Sequence, residues 1–222
     1  MHHGPTIHRF LDPGDALGEV MFGIIMTLTF TVGARFFLVE GEFDRAELII
    51  GAVGCNIAWG VIDGVLLVVS SLFFRSQRAR FYRTLRTTTD DAQALAAVAD
   101  HFELGEDTLA IPAEERAKLC AAILAAGRRT EPAPVRVTRS DLMVMLLVFM
   151  LVTCASIPCL IPLLIFDDET LALRACNVVQ VVLLFIGGYR WGAYTDVSPW
   201  KVGLSIAILG IGMSILAVFL GG

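Results

Sequence analysis

Five long, almost uniformly apolar stretches constrain this chain more than any other feature of its sequence. An α-helix needs about 20 such residues to cross the hydrocarbon core of a bilayer. The stretches cover residues 18–39, 46–74, 142–166, 171–186 and 201–220. Their apolar residues run together and do not alternate with polar ones, as the strands of a transmembrane barrel would require. The pattern therefore predicts an all-α integral membrane protein with five transmembrane helices.

The composition excludes several classes of protein. Hydrophobic residues make up 56% of the chain and charged residues only 18%, whereas soluble domains contain about 25% charged residues. An ordinary cytosolic enzyme, a nucleic-acid-binding module and a disordered chain all fit this composition poorly. The sequence also contains no phosphate-binding glycine loop, zinc-protease motif or nucleophile elbow. We therefore expect no enzymatic activity, no bound cofactor and no nucleic-acid partner.

Polar residues divide the chain into four segments. These are a cytosolic tail (1–17), the first two transmembrane helices (18–74), a small helical cytosolic insert (75–141) and the last three transmembrane helices (142–222). The side assignments follow from the positive-inside rule. Eleven of the 17 lysines and arginines lie in the insert. The N-terminus is therefore expected in the cytoplasm, and five spans place the C-terminus on the opposite face.

The insert itself has the pattern of a small helical unit. Residues 75–87 predict a basic helix that continues the second span. Asp90 can begin a second helix that reaches His101, and Pro112 can begin a third. Gly127 is placed to end that third helix, because glycine commonly follows the last helical residue.

Polar side chains on one face of the second span are the first candidate site. Asn56, Trp59 and Asp63 are spaced i, i+3 and i+7, so they share a helix face. A carboxylate inside a membrane is costly, and it is protonated, paired, or in contact with water or a cation. Cys55 adds a soft metal ligand beside the hard oxygen ligands. The same groups also suit a purely structural role, because asparagine and aspartic acid can hydrogen-bond neighbouring helices.

The first span adds further candidates for a cation path. Glu19 lies where the span begins, and it can either gather cations or favour the start of a helix. Met26 carries a thioether that can line a path or fill a gap in the packing. Thr27 and Thr31 share one face of the same helix. We take Asp63 and Glu19 as the candidate metal ligands.

Acidic residues of the insert form a second candidate cation site. They are Glu103, Glu106, Glu114 and Glu115. Carboxylates suit hard divalent cations. Helix starts and loops also need acidic residues, because a negative charge at a helix N-terminus offsets the helix dipole. Both interpretations fit the sequence.

Three short motifs carry a resemblance to a known family. The first span opens with Glu19-Val-Met-Phe-Gly23, the second with Glu47-Leu-Ile-Ile-Gly51-Ala52, and the third contains Ser156-Ile-Pro158-Cys-Leu-Ile-Pro162. With the five spans, the cytosolic N-terminus and the helical insert, this layout resembles the vacuolar iron transporter family. That family consists of divalent-metal/proton antiporters.

The resemblance implies a homodimer in the lipid bilayer that transports Fe²⁺ or Mn²⁺. Such a transporter would move the metal out of the cytoplasm in exchange for protons. The path would run between the first two spans past Glu19, Met26, Cys55, Asn56 and Asp63. Family transporters carry Asn-Asp-Gly just after the first-span glycine, where this chain has Ile24-Ile25-Met26-Thr27. As a hypothesis of compensation for this departure from the family, we expect Asp63 to supply the carboxylate from the adjacent helix.

A non-transporting scaffold or accessory subunit on the same fold is the alternative. The first span lacks the family's carboxylate, and residues 75–87 contain no acidic residue. In this interpretation, Asn56 and Asp63 hold helices together and the basic helix contacts lipid or a partner protein.

Overall fold

The structure, a computed structural model, describes residues 11–40, 44–104 and 112–219. All regular secondary structure within these ranges is helical. The helices are α1 (Pro13–Glu40), α2 (Arg45–Thr87), α3 (Asp91–His101), α4 (Ala113–Arg129), α5 (Arg139–Ile165), α6 (Glu169–Gly192) and α7 (Pro199–Phe219). The predicted all-α class is confirmed for the described residues.

Four of these helices are long and apolar enough to cross a membrane, namely α1, α2, α5 and α6. In α7, the stretch Pro199–Met213 is apolar but shorter. The chain thus has the helices of a multi-pass membrane protein, and a fifth span through α7 stays a prediction. Helix α2 runs unbroken to Thr87, as the sequence predicted for its basic end.

Side-chain caps explain where several helices begin. The Asp12 carboxylate accepts the Gly14 backbone N–H at 2.8 Å, and Pro13 is the first residue of α1. Asp90 caps α3 by accepting from the Ala92 N–H, and Asp168 caps α6 by accepting from the Leu171 N–H at 2.6 Å. Such caps satisfy backbone donors that have no partner inside the helix. Helix α1 therefore begins about one turn before the predicted span.

The chain divides into two compact units, and Val69–Thr138 is one of them. In this unit, α3 and α4 pack against the last turns of α2 around the buried Leu85, Val98 and Leu124. Helix α4 does not end at Gly127 as predicted, but continues to Arg129. A Cβ atom on Gly127 would lie 2.7 Å from the Leu85 side chain. This glycine therefore gives room for packing inside the helix.

Helix α1 is the central helix of the other unit. Its buried residues Met21, Ile24 and Leu28 pack against α5 and α6, and Ile206 of α7 lies against the same cluster. Helix α2 packs along α5, where Gly60 and Gly64 allow close approach: a Cβ on either would lie about 3 Å from the α5 backbone. Close approach through small residues is typical of helices in membranes.

Helix α5 continues through both of its prolines, Pro158 and Pro162. At its end, the guanidinium of Arg45 donates to the Leu163 carbonyl at 2.8 Å and to the Asp167 carbonyl at 2.9 Å. These bonds satisfy carbonyl groups that the end of a helix leaves without partners. The first residue of α2 thereby fixes that end of α2 against α5.

Candidate functional site

Two carboxyl groups meet between α1 and α2. The side chain of Glu19 on α1 lies within hydrogen-bond range of the Asp63 side chain on α2. Both residues are half-buried. Two carboxylates this close repel each other unless a proton or a cation lies between them. The pair therefore forms a site for positive charge, and it brings together the two residues that the sequence proposed as metal ligands.

The rest of the polar face of α2 also contacts α1. The Trp59 ring stacks on Phe22, with centroids 5.7 Å apart and planes inclined by 6°. The Asn56 amide donates to the Thr27 hydroxyl at 3.1 Å and to the Ala52 carbonyl at 2.9 Å. The prediction that Asn56, Trp59 and Asp63 share one helix face is confirmed, because all three face α1.

Two buried polar atoms at this interface lack a partner. Among the described residues, neither Asn56 Oδ1 nor Trp59 Nε1 has a hydrogen-bond partner. Asn56 is completely buried, with 0% of its surface exposed. A buried polar group without a partner costs about 1–3 kcal/mol, so such atoms in a native protein usually face a water molecule or an ion. Asn56 thus offers a free carbonyl oxygen at the α1–α2 interface, about two helical turns from Asp63.

Gly23 lets the helices approach each other closely at this level. A Cβ atom there would lie 2.5 Å from the Val152 carbonyl oxygen of α5 and 3.1 Å from Asn56 Oδ1. Any side chain would separate α1 from both neighbours. The glycine therefore holds the free Asn56 oxygen against the α1 backbone.

A second polar cluster lies between α1 and α6. The Thr31 hydroxyl oxygen is 2.8 Å from Asn177 Oδ1 and 3.0 Å from Gln180 Oε1. Thr31 and Gln180 are fully buried, and Gln180 Nε2 has no hydrogen-bond partner among the described residues. Local sequence could not identify the partner of these amides, because it lies on a helix about 150 residues away in the chain.

For Met26 and Cys55, a place on the cation path stays a prediction from the sequence. Met26 lines an apolar cavity of about 470 Å³, together with Trp59 and residues of α7. Cys55 is half-buried and its thiol is free. Neither side chain is placed against the carboxyl pair by a described contact, whereas Asn56 shares its helix face with Asp63.

The acids of the insert are exposed. Glu114 forms an ion pair with Lys118 one turn along α4 at 2.6 Å, and Glu103 and Glu115 are open to solvent. Glu106 lies outside the described residues. Across the ranges that the structure describes, no three or more His, Cys, Asp or Glu side chains converge as metal ligands. The carboxyl pair is therefore the better supported site.

Neither a protein-family model nor a protein of characterised function matches this sequence. The chemistry of the site follows from its own geometry: one carboxyl pair, one free amide oxygen and one free indole N–H between α1 and α2.

Proposed function

We propose that the protein transports a divalent cation, Fe²⁺ or Mn²⁺, across a membrane in exchange for protons. The observation that carries this proposal is the contact between Glu19 and Asp63. Oxygen ligands suit hard divalent cations, and two carboxylates neutralise the charge of one such ion. The proposal agrees with the resemblance of the chain to the vacuolar iron transporters.

Competition between the ion and a proton supplies the coupling. The carboxyl pair holds either a proton or a divalent cation, because the same oxygen atoms bind both. The free Asn56 oxygen lies on the same helix face about two turns, or about 10 Å, before Asp63, where it offers the ion a neutral acceptor at another depth of the path. Binding of protons on one side of the membrane therefore displaces the metal, and binding of the metal on the other side displaces the protons.

The proposed topology has five spans, with α7 as the fifth and the N-terminus in the cytoplasm. The metal then leaves the cytoplasm as protons enter. We also propose a homodimer, as the resemblance implies. The mass of the protein in a detergent micelle, measured by light scattering with the detergent mass subtracted, tests that point. A monomer mass at all protein concentrations would contradict it.

Flux in liposomes tests the transport proposal. The purified full-length chain is reconstituted with a metal-quenched dye inside the vesicles, and Fe²⁺, Mn²⁺ or Co²⁺ is added outside under an imposed pH gradient. The wild type is expected to quench the dye, and Asp63→Asn and Glu19→Gln are expected to slow quenching by about tenfold or more. Glu47→Gln removes an exposed carboxylate at the start of α2 and serves as the matched control.

A proton readout separates exchange from simple leakage. A pH-sensitive dye in the same vesicles should report proton movement opposite to Mn²⁺ movement in the wild type. Absence of flux for all three metals in the wild type would refute the proposal. Equal flux in Asp63→Asn and in the wild type would refute the role of the carboxyl pair.

A non-transporting scaffold is the second candidate. One observation favours it: Asn56 already donates both to Thr27 and to the carbonyl of Ala52, as a purely structural asparagine would. A scaffold predicts stable co-purification with a larger complex, at a yield that Asp63→Asn and metal chelators leave unchanged.

A further inference from the structure

Small and polar residues recur at every fourth position along α1. They are Glu19, Gly23, Thr27 and Thr31. Four residues rotate an α-helix by about 400°, so each step advances this line by about 40° around the axis. Three steps cover about 120° and about 18 Å of helix. A line that faces α2 at Glu19 should therefore have turned towards another helix at Thr31.

The contacts along α1 follow this rotation. Glu19 meets Asp63 of α2, and Thr27 accepts a hydrogen bond from Asn56 of α2. Thr31 meets Asn177 and Gln180 of α6. The polar line thus begins at the α1–α2 interface and ends at the α1–α6 interface.

Three oxygen acceptors surround the single hydroxyl hydrogen of Thr31. Its hydroxyl lies 3.1 Å from the Leu28 carbonyl, 2.8 Å from Asn177 Oδ1 and 3.0 Å from Gln180 Oε1. A hydroxyl group carries one hydrogen and can donate to one of them. Rotating the Gln180 amide by 180° would exchange its oxygen and nitrogen atoms, so that its nitrogen could donate to Thr31. The oxygen would then occupy the buried position that Nε2 holds now, where no partner exists among the described residues. In either orientation of Gln180, one buried atom of its amide has no partner among the described residues.

We propose that Thr31, Asn177 and Gln180 form a second cation site, and that the path from the carboxyl pair turns along α1 from α2 to α6. This inference rests on the proposed transport function. The oxygen spacings of 2.8 Å and 3.0 Å fit neighbouring ligands of an octahedral divalent ion, for which metal–oxygen bonds of about 2.1 Å place adjacent oxygens about 3 Å apart.

The surroundings of this site favour release of the ion. Its ligands are neutral, so they replace hydration water without the attraction of a fixed negative charge. Asn177 also lines a cavity of about 290 Å³ together with Arg35, which is the next residue in the four-residue series. The positive charge of Arg35 opposes tight binding of a cation. The carboxyl pair thus binds the ion strongly, and the Thr31 site passes it on.

Mn²⁺ flux into liposomes holding the full-length chain tests the second site. Thr31→Val removes the hydroxyl at almost constant shape, and Gln180→Leu removes the amide. Both are expected to lower the initial rate of Mn²⁺ entry by about tenfold, and Thr31→Ser should restore it. Thr29→Val is the matched control, because the Thr29 hydroxyl bonds only the Ile25 carbonyl of its own helix, at 3.1 Å, within the part of the chain that the structure describes.

A charge variant gives a readout that a structural role would not change. Arg35→Gln removes the positive charge beside Asn177, so Mn²⁺ should reach half-saturation at a concentration several-fold lower than in the wild type. If Thr31→Val fails to fold, Gln180→Leu and Thr31→Ser decide the result. Normal Mn²⁺ entry through Gln180→Leu or Thr31→Val overturns the inference.

The outcomes also separate this inference from the transport proposal. If Asp63→Asn blocks entry while Thr31→Val and Gln180→Leu do not, the second site is refuted and transport stands. If the wild type moves no Mn²⁺, the transport proposal fails, and the second site, which rests on it, fails with it.

Discussion

A methyl group at position 23 has no room between α1, α5 and Asn56. The first atom that it would meet is a backbone carbonyl oxygen at 2.5 Å, which cannot move without moving α5. We predict that Gly23→Ala lowers the free energy of unfolding by about 1–3 kcal/mol, the usual cost of overpacking. The thermal denaturation midpoint in detergent measures this.

Gly18 provides the control on the same helix. A Cβ atom there would meet nothing within 4 Å. Gly18→Ala should leave the midpoint unchanged or raise it, because alanine favours a helix over glycine by about 1 kcal/mol. Equal midpoints for Gly23→Ala and Gly18→Ala would contradict the close packing of α1 described above.

The residues of the site were predictable from the sequence, but their partners were not. Periodicity placed Asn56, Trp59 and Asp63 on one face of a helix, since that requires only 3.6 residues per turn. The contact between Glu19 and Asp63 depends on how far α1 and α2 slide along each other. Small residues at several positions of both helices permit more than one such register, so local sequence does not determine it.

Helix ends were predicted best where a capping side chain defines them. Asp90 begins α3, as predicted, by accepting a backbone N–H bond. The corresponding Asp168 cap of α6 was not predicted, and the fourth span was expected to start at residue 171. The end of α4 was predicted wrongly at Gly127. Glycine ends a helix by adopting a left-handed conformation, but it also makes room for a neighbouring side chain, here Leu85. Tertiary contacts decide between these two uses.

Arg128 joins three elements of the unit Val69–Thr138. Its guanidinium donates to the Leu85 and Thr88 carbonyls at the end of α2 and to the Asp91 carboxylate of α3. We predict that Arg128→Gln weakens this unit by about 1 kcal/mol, because partly exposed charged hydrogen bonds contribute modestly. Amide hydrogen exchange in the last turn of α2 should speed up.

Arg129 is the matched control for this prediction. Among the described residues, its guanidinium bonds only the Ala125 carbonyl of its own helix, at 3.1 Å, and the residue is exposed. Arg129→Gln should leave exchange in α2 unchanged. Faster exchange in both variants, or in neither, would contradict a specific role for Arg128.

For the whole molecule, the class of protein follows from hydropathy alone. Four helices of the described structure are long and apolar enough to cross a membrane, as expected from runs of about 20 apolar residues. The packing order, with α1 at the centre of its unit, is not encoded in those runs. Lipid-facing and helix-facing apolar residues look alike in a sequence, because both surroundings are apolar.

The proposed topology predicts which surface positions are reachable from outside the membrane. Single cysteines are placed at Glu115, Asp168 and Asp196 in a chain whose five native cysteines have been replaced. Five spans with a cytoplasmic N-terminus predict that an impermeant maleimide labels only Asp168→Cys on intact cells. All three should react after permeabilisation. Labelling of Asp196→Cys on intact cells would contradict the assigned sides.

The binding of a divalent cation by the carboxyl pair is the central claim, and metal-dependent thermal stability tests it most directly. A ligand at 100 times its Kd stabilises the folded state by about 2.7 kcal/mol. Mn²⁺ or Fe²⁺ should raise the denaturation midpoint of the wild type and of Glu47→Gln, and should not raise that of Asp63→Asn or Glu19→Gln. No shift in the wild type, or an undiminished shift in both carboxyl variants, would contradict the claim.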